Sequence, residues 1–277
     1  MMSGTLYLCG TPIGNLSDFS PRGVEVLQKV DFIAAEDTRR SIKLLQHFGI
    51  SKPMISYFEH NRRERGEQIL RRLLEGENAA LITDAGMPAI SDPGEDLVLL
   101  CHQNGIQVSP IPGPCAMVSA LAASGLPTGR FCFEGFLTVN KKGRREHLQN
   151  LLHEQRTMIF YEAPHKLYTT LCDLFAVFGD RRVVLAREMT KLHEEIVLTT
   201  LFQAVKKYEQ LPPKGEFVLV VEGCGQVEKK FEITPRERLA ELISFGMDKK
   251  EAIRQVAQER GVPKREIYAL TIEEKNE

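Results

Sequence analysis

AALITDAGMPAISDPGEDL, residues 79–97, reads as a buried strand, a stiffened loop and a helix start, and that succession decides the fold class. Ala79 to Thr83 is apolar and β-prone. Asp84, Gly86, Pro88, Ser91, Asp92, Pro93 and Gly94 follow, and a helical stretch runs from Glu95 to Gln103. Plain connections in such units take about 2–6 residues. A longer one stiffened by Gly and Pro is the make-up of a ligand loop. Outward from it, strands are predicted at Thr5–Cys9, Asp31–Ala35, Pro53–Tyr57 and Gln107–Ile111, and helices at Arg22–Lys29, Arg39–Phe48 and Arg65–Glu75. Strand and helix in alternation predict an α/β domain with a largely parallel sheet.

The second half has another rhythm. Strands are predicted at Arg130–Phe136, Thr157–Glu162, Arg182–Glu188, Glu195–Thr200 and Glu216–Glu222. Only Met189 to Glu194 separates the third from the fourth, too short for a crossover helix, so that pair is expected antiparallel and the sheet mixed. Ser124–Gly129 is the expected boundary. The expected domains are therefore 1–124 and 125–225, both α/β, then a helical tail at 226–277. In the tail, Thr234-Pro235-Arg236-Glu237 supplies a capping box, and Leu239, Leu242 and Ile243 are expected on one face. Asp248 to Glu251 starts a second helix carrying Ala252, Ile253, Val256 and Ala257, and Gly261-Val262-Pro263 breaks it before a third. Together they read as a helix-turn-helix module.

The 277 residues suit about two domains of roughly 150 each. With 43% apolar and 26% charged residues the chain is neither disordered nor a fibrous repeat. Its net charge of -1 provides no overall field toward nucleic acid or a membrane, so any polyanion partner must be held by local patches. Such patches occur at Arg39-Arg40, at Arg62-Arg63 and in a loop read at Lys141-Lys142-Gly143-Arg144-Arg145. The tail from Pro235 is neutral, with nine basic and nine acidic residues. Six cysteines without a CxxC spacing read as buried thiols of a reducing compartment. The start at Met1–Thr5 has no secretory pattern, and no apolar run approaches the ~20 residues of a membrane span. The expectation is a soluble, cytoplasmic protein.

Two more loops share the make-up of residues 84–94. LYLCGTPIGNL (6–16) turns through Gly10, Pro12 and Gly14 directly after a strand, either as a ligand loop or as a plain tight turn. IPGPCAMVSAL (111–121) passes Pro112-Gly113-Pro114 into a helix whose free N–H groups face the same crevice. Neither a dinucleotide fingerprint nor a P-loop is present. This ordered set resembles the tetrapyrrole methylase superfamily, the class III S-adenosylmethionine (SAM) methyltransferases. AAEDTRRS (34–41), YFEHN (57–61), FEGFL (133–137), IFYEAPHK (159–166), AREMTKLHEE (186–195) and KGEFVLVVEG (214–223) narrow the likeness. With them the chain resembles the bacterial methyltransferases of that superfamily that modify the ribose 2′-hydroxyl of a decoding-centre cytidine in 16S rRNA of the small ribosomal subunit. The likeness runs from about residue 6 to 270.

The resemblance implies SAM as cofactor and a homodimer. It places the cofactor in a cleft between the two domains, against Thr11, Pro12 and Gly14, against Asp84, Ala85, Gly86, Met87 and Ser91, and against Pro112, Gly113, Cys115 and Ala116. Tyr161 and Glu162 come from the second domain. TDAGMP departs from the family's usual GDP-type loop. Methyl transfer from a sulfonium needs alignment, exclusion of water and a proton acceptor near the ribose hydroxyl. Glu162 and His165 are candidates for that acceptor, as are Glu36 and Asp37. The competing reading pairs Glu162 or Asp37 with Arg187 or Arg39. Lys191 either neutralises phosphate, supports the nucleophile or is an ordinary surface lysine. The seven histidines show no metal-ligand spacing. Two other readings stand: a small-molecule tetrapyrrole methylase, against which the tail and the basic segment weigh, and a non-enzymatic nucleotide-sensing regulator binding DNA through its tail, against which the tail's neutrality weighs.

Overall fold

The computed structural model describes residues 3–225 and 233–270. The chain divides after residue 224 into two compact units. In the first, β1 (Thr5–Cys9), β2 (Phe32–Ala35), β3 (Met54–Ser56), β4 (Ala79–Ile82) and β5 (Gln107–Ile111) form a sheet of order β3-β2-β4-β1-β5, parallel throughout. Helices α1 (Pro21–Lys29), α2 (Thr38–His47), α3 (Arg62–Leu74) and α4 (Glu95–Gln103) connect these strands. The two-residue period divides each strand between two cores. Phe32 and Ala34 join Leu6, Ala79 and Leu81 on one face, and Ile33 and Ala35 join Cys9, Ala80 and Ile82 on the other. A sheet covered on both faces needs the near-continuous apolar runs that the sequence displays.

Helix α5 (Ala116–Ala123) leads out of this sheet, and β6 (Phe131–Phe136) begins a second one. Its other elements are α6 (Lys141–Asn150), β7 (Thr157–Glu162), α7 (Pro164–Phe178), β8 (Arg182–Arg187), β9 (Glu195–Thr200), α8 (Leu201–Gln210) and β10 (Phe217–Val221). The order is β6-β7-β10-β8-β9. Strand β6 runs parallel to β7, whereas β10 is antiparallel to both neighbours and β8 is antiparallel to β9. The mixed sheet follows from the short link between β8 and β9, as expected. Phe160, Leu185 and Leu219 face α7 and α8. On the opposite face Ile159, Val184, Ala186, Val218 and Val220 pack against Ala120 and Leu121 of α5. So α5 starts at the Pro-Gly loop of the first sheet and buries its apolar side on the second.

All six cysteines are free thiols. Burial pushes Cys9 up to about 12 and Cys101 to about 11, so both stay protonated small hydrophobes. Basic residues 141–145 do not form a loop: Asn140 caps α6 by accepting from the Gly143 N–H at 3.0 Å, and the five residues make up its first turns.

The second unit contains α9 (Pro235–Ser244), α10 (Lys249–Arg260) and α11 (Lys264–Ala269). Thr234 and Glu237 form the expected capping box, Asp248 caps α10, and Gly261 ends it in the left-handed conformation. Leu239 and Leu242 meet Ala252, Ile253, Val256, Ala257 and Ile267 in one core. Ile243 departs from its expected place: it is 41% exposed and lies outside that core. Residues 226–232 and 271–277 of the expected tail lie outside the described residues.

Candidate active site

The three Gly/Pro loops meet at one end of the first sheet. Gly10 and Gly113 stand backbone to backbone: a Cβ on Gly113 would come within 2.7 Å of the Gly10 carbonyl oxygen, and one on Gly10 would meet Met87 Sδ at 2.6 Å. Thr11 ties the first turn to the second loop. Its N–H donates to the Gly86 carbonyl at 2.9 Å, the Gly86 N–H donates back at 3.0 Å, and its hydroxyl donates to the Thr83 carbonyl at 3.1 Å. Gly86 takes φ 88°, a conformation L side chains rarely adopt.

The loops wall a hollow of about 360 Å³, a usual size for a small-molecule site. Of the residues expected there, Asp84, Ala85, Gly86, Met87, Ser91, Cys115, Ala116, Tyr161 and Glu162 line it. Thr11, Pro12, Gly14, Pro112 and Gly113 are not in the wall. Thr11 and Gly113 instead fasten the loops behind it. The second sheet contributes Phe136, Glu188, Met189, Lys191 and Glu216, of which only Lys191 had been singled out. The signals for the others were the motifs FEGFL, AREMTKLHEE and KGEFVLVVEG. Among the described residues, the non-glycine residues with positive φ are Ala89, Ser91, Glu188 and Thr190, all in the two loops on opposite sides of this hollow. Strain concentrated in this way marks a functional surface.

Six carboxylates line the hollow (Glu36, Asp84, Asp92, Glu162, Glu188 and Glu216) against Arg40 and Lys191. Arg40 pairs with Asp84 Oδ2 at 2.8 Å, leaving Asp84 Oδ1 buried and without a hydrogen-bond partner. Glu36 accepts from the Thr83 hydroxyl at 2.6 Å. Burial, then the charge of Glu36, raise Asp84, and the same two causes push Asp92 up to about 6. Lys191 reaches Glu188 and Glu216, each at 2.9 Å. Burial works against its charge, but the two carboxylates outweigh that and its pKa is raised. Tyr161 accepts from the Met117 N–H at 3.1 Å, which takes up one of the free amides of α5, and touches the rings of Phe133 and Phe136 edge-on.

The candidate proton acceptors separate. Glu162 is buried, and its two oxygens accept from the Ala163 N–H at 2.8 Å and the Thr170 hydroxyl at 2.6 Å, with no arginine involved. His165 is exposed on α7 and faces a separate hollow bounded by Leu137, Thr138 and Arg144. Asp37 is bound by Arg39, whose side-chain hydrogen bonds hold it down at about 2, so the ion-pair reading stands for Asp37. Arg187 pairs with Glu195.

Among the basic candidates, Arg39, Arg40, Arg62, Arg63, Lys141, Lys142 and Arg145 are exposed. Arg62 lies 3.3 Å from Glu59 and 3.8 Å from Asp96. Arg144 is a correction. It is 8% exposed, its Nε donates to Asp173 at 2.7 Å and its Nη1 to the carbonyls of Thr138 and Val139, so it binds α6 to α7 and presents no charge outward.

Two α/β layers whose strand ends wall an acidic ligand cleft define the class. Residues 5–205 match the family of Tetrapyrrole (Corrin/Porphyrin) Methylases, and the chain belongs to that family. It is 48% identical to a protein of Synechocystis sp. named ribosomal RNA small subunit methyltransferase I, over 98% of both chains. To the protein of that name from Escherichia coli O157:H7 it is 46% identical, over 98% of this chain and 96% of that one. Among solved structures, diphthine synthase superposes with a TM-score of 0.61 at 15% identity, covering 79% of this chain and 90% of that one. Uroporphyrin-III C-methyl transferase from Thermus thermophilus, complexed with S-adenyl homocysteine, superposes at 0.54 and 19%, covering 82% and 100%. These last two share the fold.

Proposed function

We propose that this protein is a SAM-dependent methyltransferase acting on the ribose 2′-hydroxyl of a decoding-centre cytidine in 16S rRNA, with the small ribosomal subunit as partner and the cytoplasm as its compartment. The observation that carries the reading is the acid-lined hollow, in a chain so alike, over nearly its whole length, to relatives named for small-subunit rRNA methylation.

The residues present fit the cofactor. SAM carries a sulfonium, and six carboxylates against two cations favour a positive ligand. The partnerless Asp84 Oδ1 is an acceptor awaiting a donor, a need that a ribose hydroxyl or ammonium group would meet. Ile13, Met87, Met189, Ala186 and Val218 provide the apolar surface for the rest. When bound, the cofactor supplies a methyl group on a good leaving group. The protein orients it, holds back water and receives the proton of the acceptor. The crossed bonds of Thr11 and Gly86 fix the loop that carries Asp84, and the Lys191 bridge fixes the facing loop.

Two measurements test this. A strain lacking the protein is expected to lose one ribose methyl group from 16S rRNA, and persistence of that group refutes the reading. Asp84→Ala is expected to weaken S-adenosylhomocysteine binding at least tenfold by calorimetry, about 1.4 kcal/mol. As the family likeness implies, a second copy of the chain is the proposed partner in a homodimer. Edge strand β9 supports this with Ile196 and Leu198 at 38% and 54% exposure, a face a single copy leaves in water. Sedimentation equilibrium is expected to give twice the chain mass, and Leu198→Glu to lower it; a monomer at all concentrations removes the dimer.

Among the described residues, no helix is long and apolar enough to cross a membrane.

A further inference from the structure

A second hollow, of about 550 Å³, adjoins the first. Glu36, Ser91 and Asp92 line both, so these three residues are the wall between them. Its far side is made by Phe58, His60 and Arg62, which follow β3, and by Gly94 at the start of α4. An in-line displacement places the leaving atom and the attacking atom on opposite sides of the transferred carbon. A methyl donor in the first hollow and an acceptor in the second therefore meet only at the shared wall.

We infer that the second hollow seats the acceptor ribonucleoside and that Asp92, on the shared wall, takes the proton of its 2′-hydroxyl. The inference rests on the proposed methyltransferase activity and extends it. In the step, the hydroxyl oxygen forms a C–O bond to the methyl carbon, and the C–S bond breaks with its electron pair on sulfur. The O–H proton passes to a carboxylate oxygen of Asp92. The products are the methyl ether, S-adenosylhomocysteine and neutral Asp92, which returns its proton to water.

The other acids near this wall are engaged. Arg40 holds Asp84, Arg39 holds Asp37, and Glu36 accepts from the Asp84 N–H as well as from the Thr83 hydroxyl. Glu162 is occupied by its two donors, the Ala163 N–H and the Thr170 hydroxyl of α7. Asp92 has a different environment. Burial raises it first, then the charge of Glu36; the Thr83 hydroxyl lowers it, and Asp84 raises it further, to about 6 in all. From the second hollow Glu59, Glu95 and Asp96 add negative charge against Arg62, and the imidazole of His60 also faces it. Across the first hollow stand Arg40 and Lys191, already bound to Asp84 and to the Glu188–Glu216 pair. A carboxylate near pH 6 is ionised at neutral pH yet basic enough to accept a proton as the C–O bond forms.

The same charges define what the second hollow admits. Five carboxylates face it (Glu36, Glu59, Asp92, Glu95 and Asp96), so it repels phosphate and accepts neutral groups that carry donors. A ribose hydroxyl is one such group. The exocyclic amine of cytosine is another, and carboxylates are its usual acceptors. Uracil, with a carbonyl at that position, is disfavoured. Phe58 supplies a 38% exposed ring for stacking a base drawn out of its strand.

The test uses small subunits from a strain lacking this protein, with the full-length enzyme. Asp92→Asn is expected to slow single-turnover methylation about 10²–10⁴-fold. S-adenosylhomocysteine lacks the sulfonium charge that the carboxylates favour, so its affinity should stay within about threefold by calorimetry, and Asp92→Glu should restore part of the rate. For the wild type, the base must be deprotonated. The rate should therefore rise about tenfold per pH unit below about 6 and level above it, and carboxyl carbon NMR should show Asp92 titrating near there. Those wild-type readouts decide the matter should Asp92→Asn fail to fold. An Asp92→Asn rate within threefold of wild type overturns the proposal, as does a flat profile from pH 5 to 8. Loss of S-adenosylhomocysteine binding by Asp92→Asn makes Asp92 part of the donor site and also overturns it. A wild-type protein that neither binds S-adenosylhomocysteine nor methylates the subunit refutes the methyltransferase reading itself.

Discussion

Arg144→Ala is expected to destabilise the protein by about 2–3 kcal/mol and to leave RNA affinity at matched folded fraction unchanged, whereas neutralising its neighbours is expected to do the reverse. The side chains of Arg144 and Asp173 are 10% and 25% exposed, and their contact is 2.6 Å. Removing one member of a buried ion pair leaves the other charge without compensation, at about 3–5 kcal/mol. The partial exposure of Asp173 lets water recover some of this. The carbonyls of Thr138 and Val139 lose a donor at the same time. For a folded unit of this size the loss corresponds to about 5–10 °C in Tm. Arg145→Ala, on the exposed side of the same turn, should stay within about 0.5 kcal/mol. Replacing Lys141, Lys142 and Arg145 together by Gln should weaken rRNA binding and flatten the slope of log K against log salt by about 2. An unchanged slope removes the α6 turn from the RNA surface. An Arg144→Ala protein as stable as wild type removes the structural role of the pair.

That contrast shows where the sequence is legible and where it is not. KKGRR reads as one basic run because the sequence gives charge and order. Which of its members faces outward depends on Asp173, 29 residues further on, and on the packing of α6 against α7. The first sheet is legible because burial on both faces leaves its strands apolar in continuous runs, and each Gly/Pro loop then follows from where a strand ends. The second wall of the hollow is less so. Strand β10, last in sequence, inserts between β7 and β8, and this insertion carries Glu216 across to Lys191. No local period encodes that juxtaposition. Likewise Glu162 and His165 look alike as strand-end candidates in FYEAPHK. Only the helix that follows shows that the first is saturated by Ala163 and Thr170 and that the second faces another hollow. Asp92 was visible as one of several loop acids. Its place on a wall shared by two hollows is a product of the loop's path, through Ala89 and Ser91 at φ 64° and 62°.

Gly113→Val should disturb both stability and the cleft although Gly113 lies outside the cleft wall, because it tests the contact on which the convergence of the loops depends. Gly113 is not among the glycines with positive φ, so a side chain there meets no conformational strain of its own. The obstacle is distance alone. Its Cβ would lie 2.7–2.9 Å from the carbonyl oxygen, Cα and carbonyl carbon of Gly10, and backbone cannot turn aside as a flexible side chain can. Inserting atoms into closely packed structure costs about 1–3 kcal/mol, and the two γ carbons of valine place it at the upper end. Relief comes only by moving the first turn or the third loop. Either motion pulls on the Thr11–Gly86 pair of hydrogen bonds, and through it on Asp84. The expected result is a loss of about 3 kcal/mol together with a tenfold or greater fall in S-adenosylhomocysteine affinity, measured by denaturant titration and calorimetry. Gly129→Ala, where an added Cβ meets nothing within 4 Å, serves as the control and should change neither quantity appreciably. Gly113→Ala should show a smaller version of both effects. A Gly113→Val protein with wild-type stability and affinity would mean that the first and third loops do not need each other, and the cleft would then have to be held together by the second loop alone.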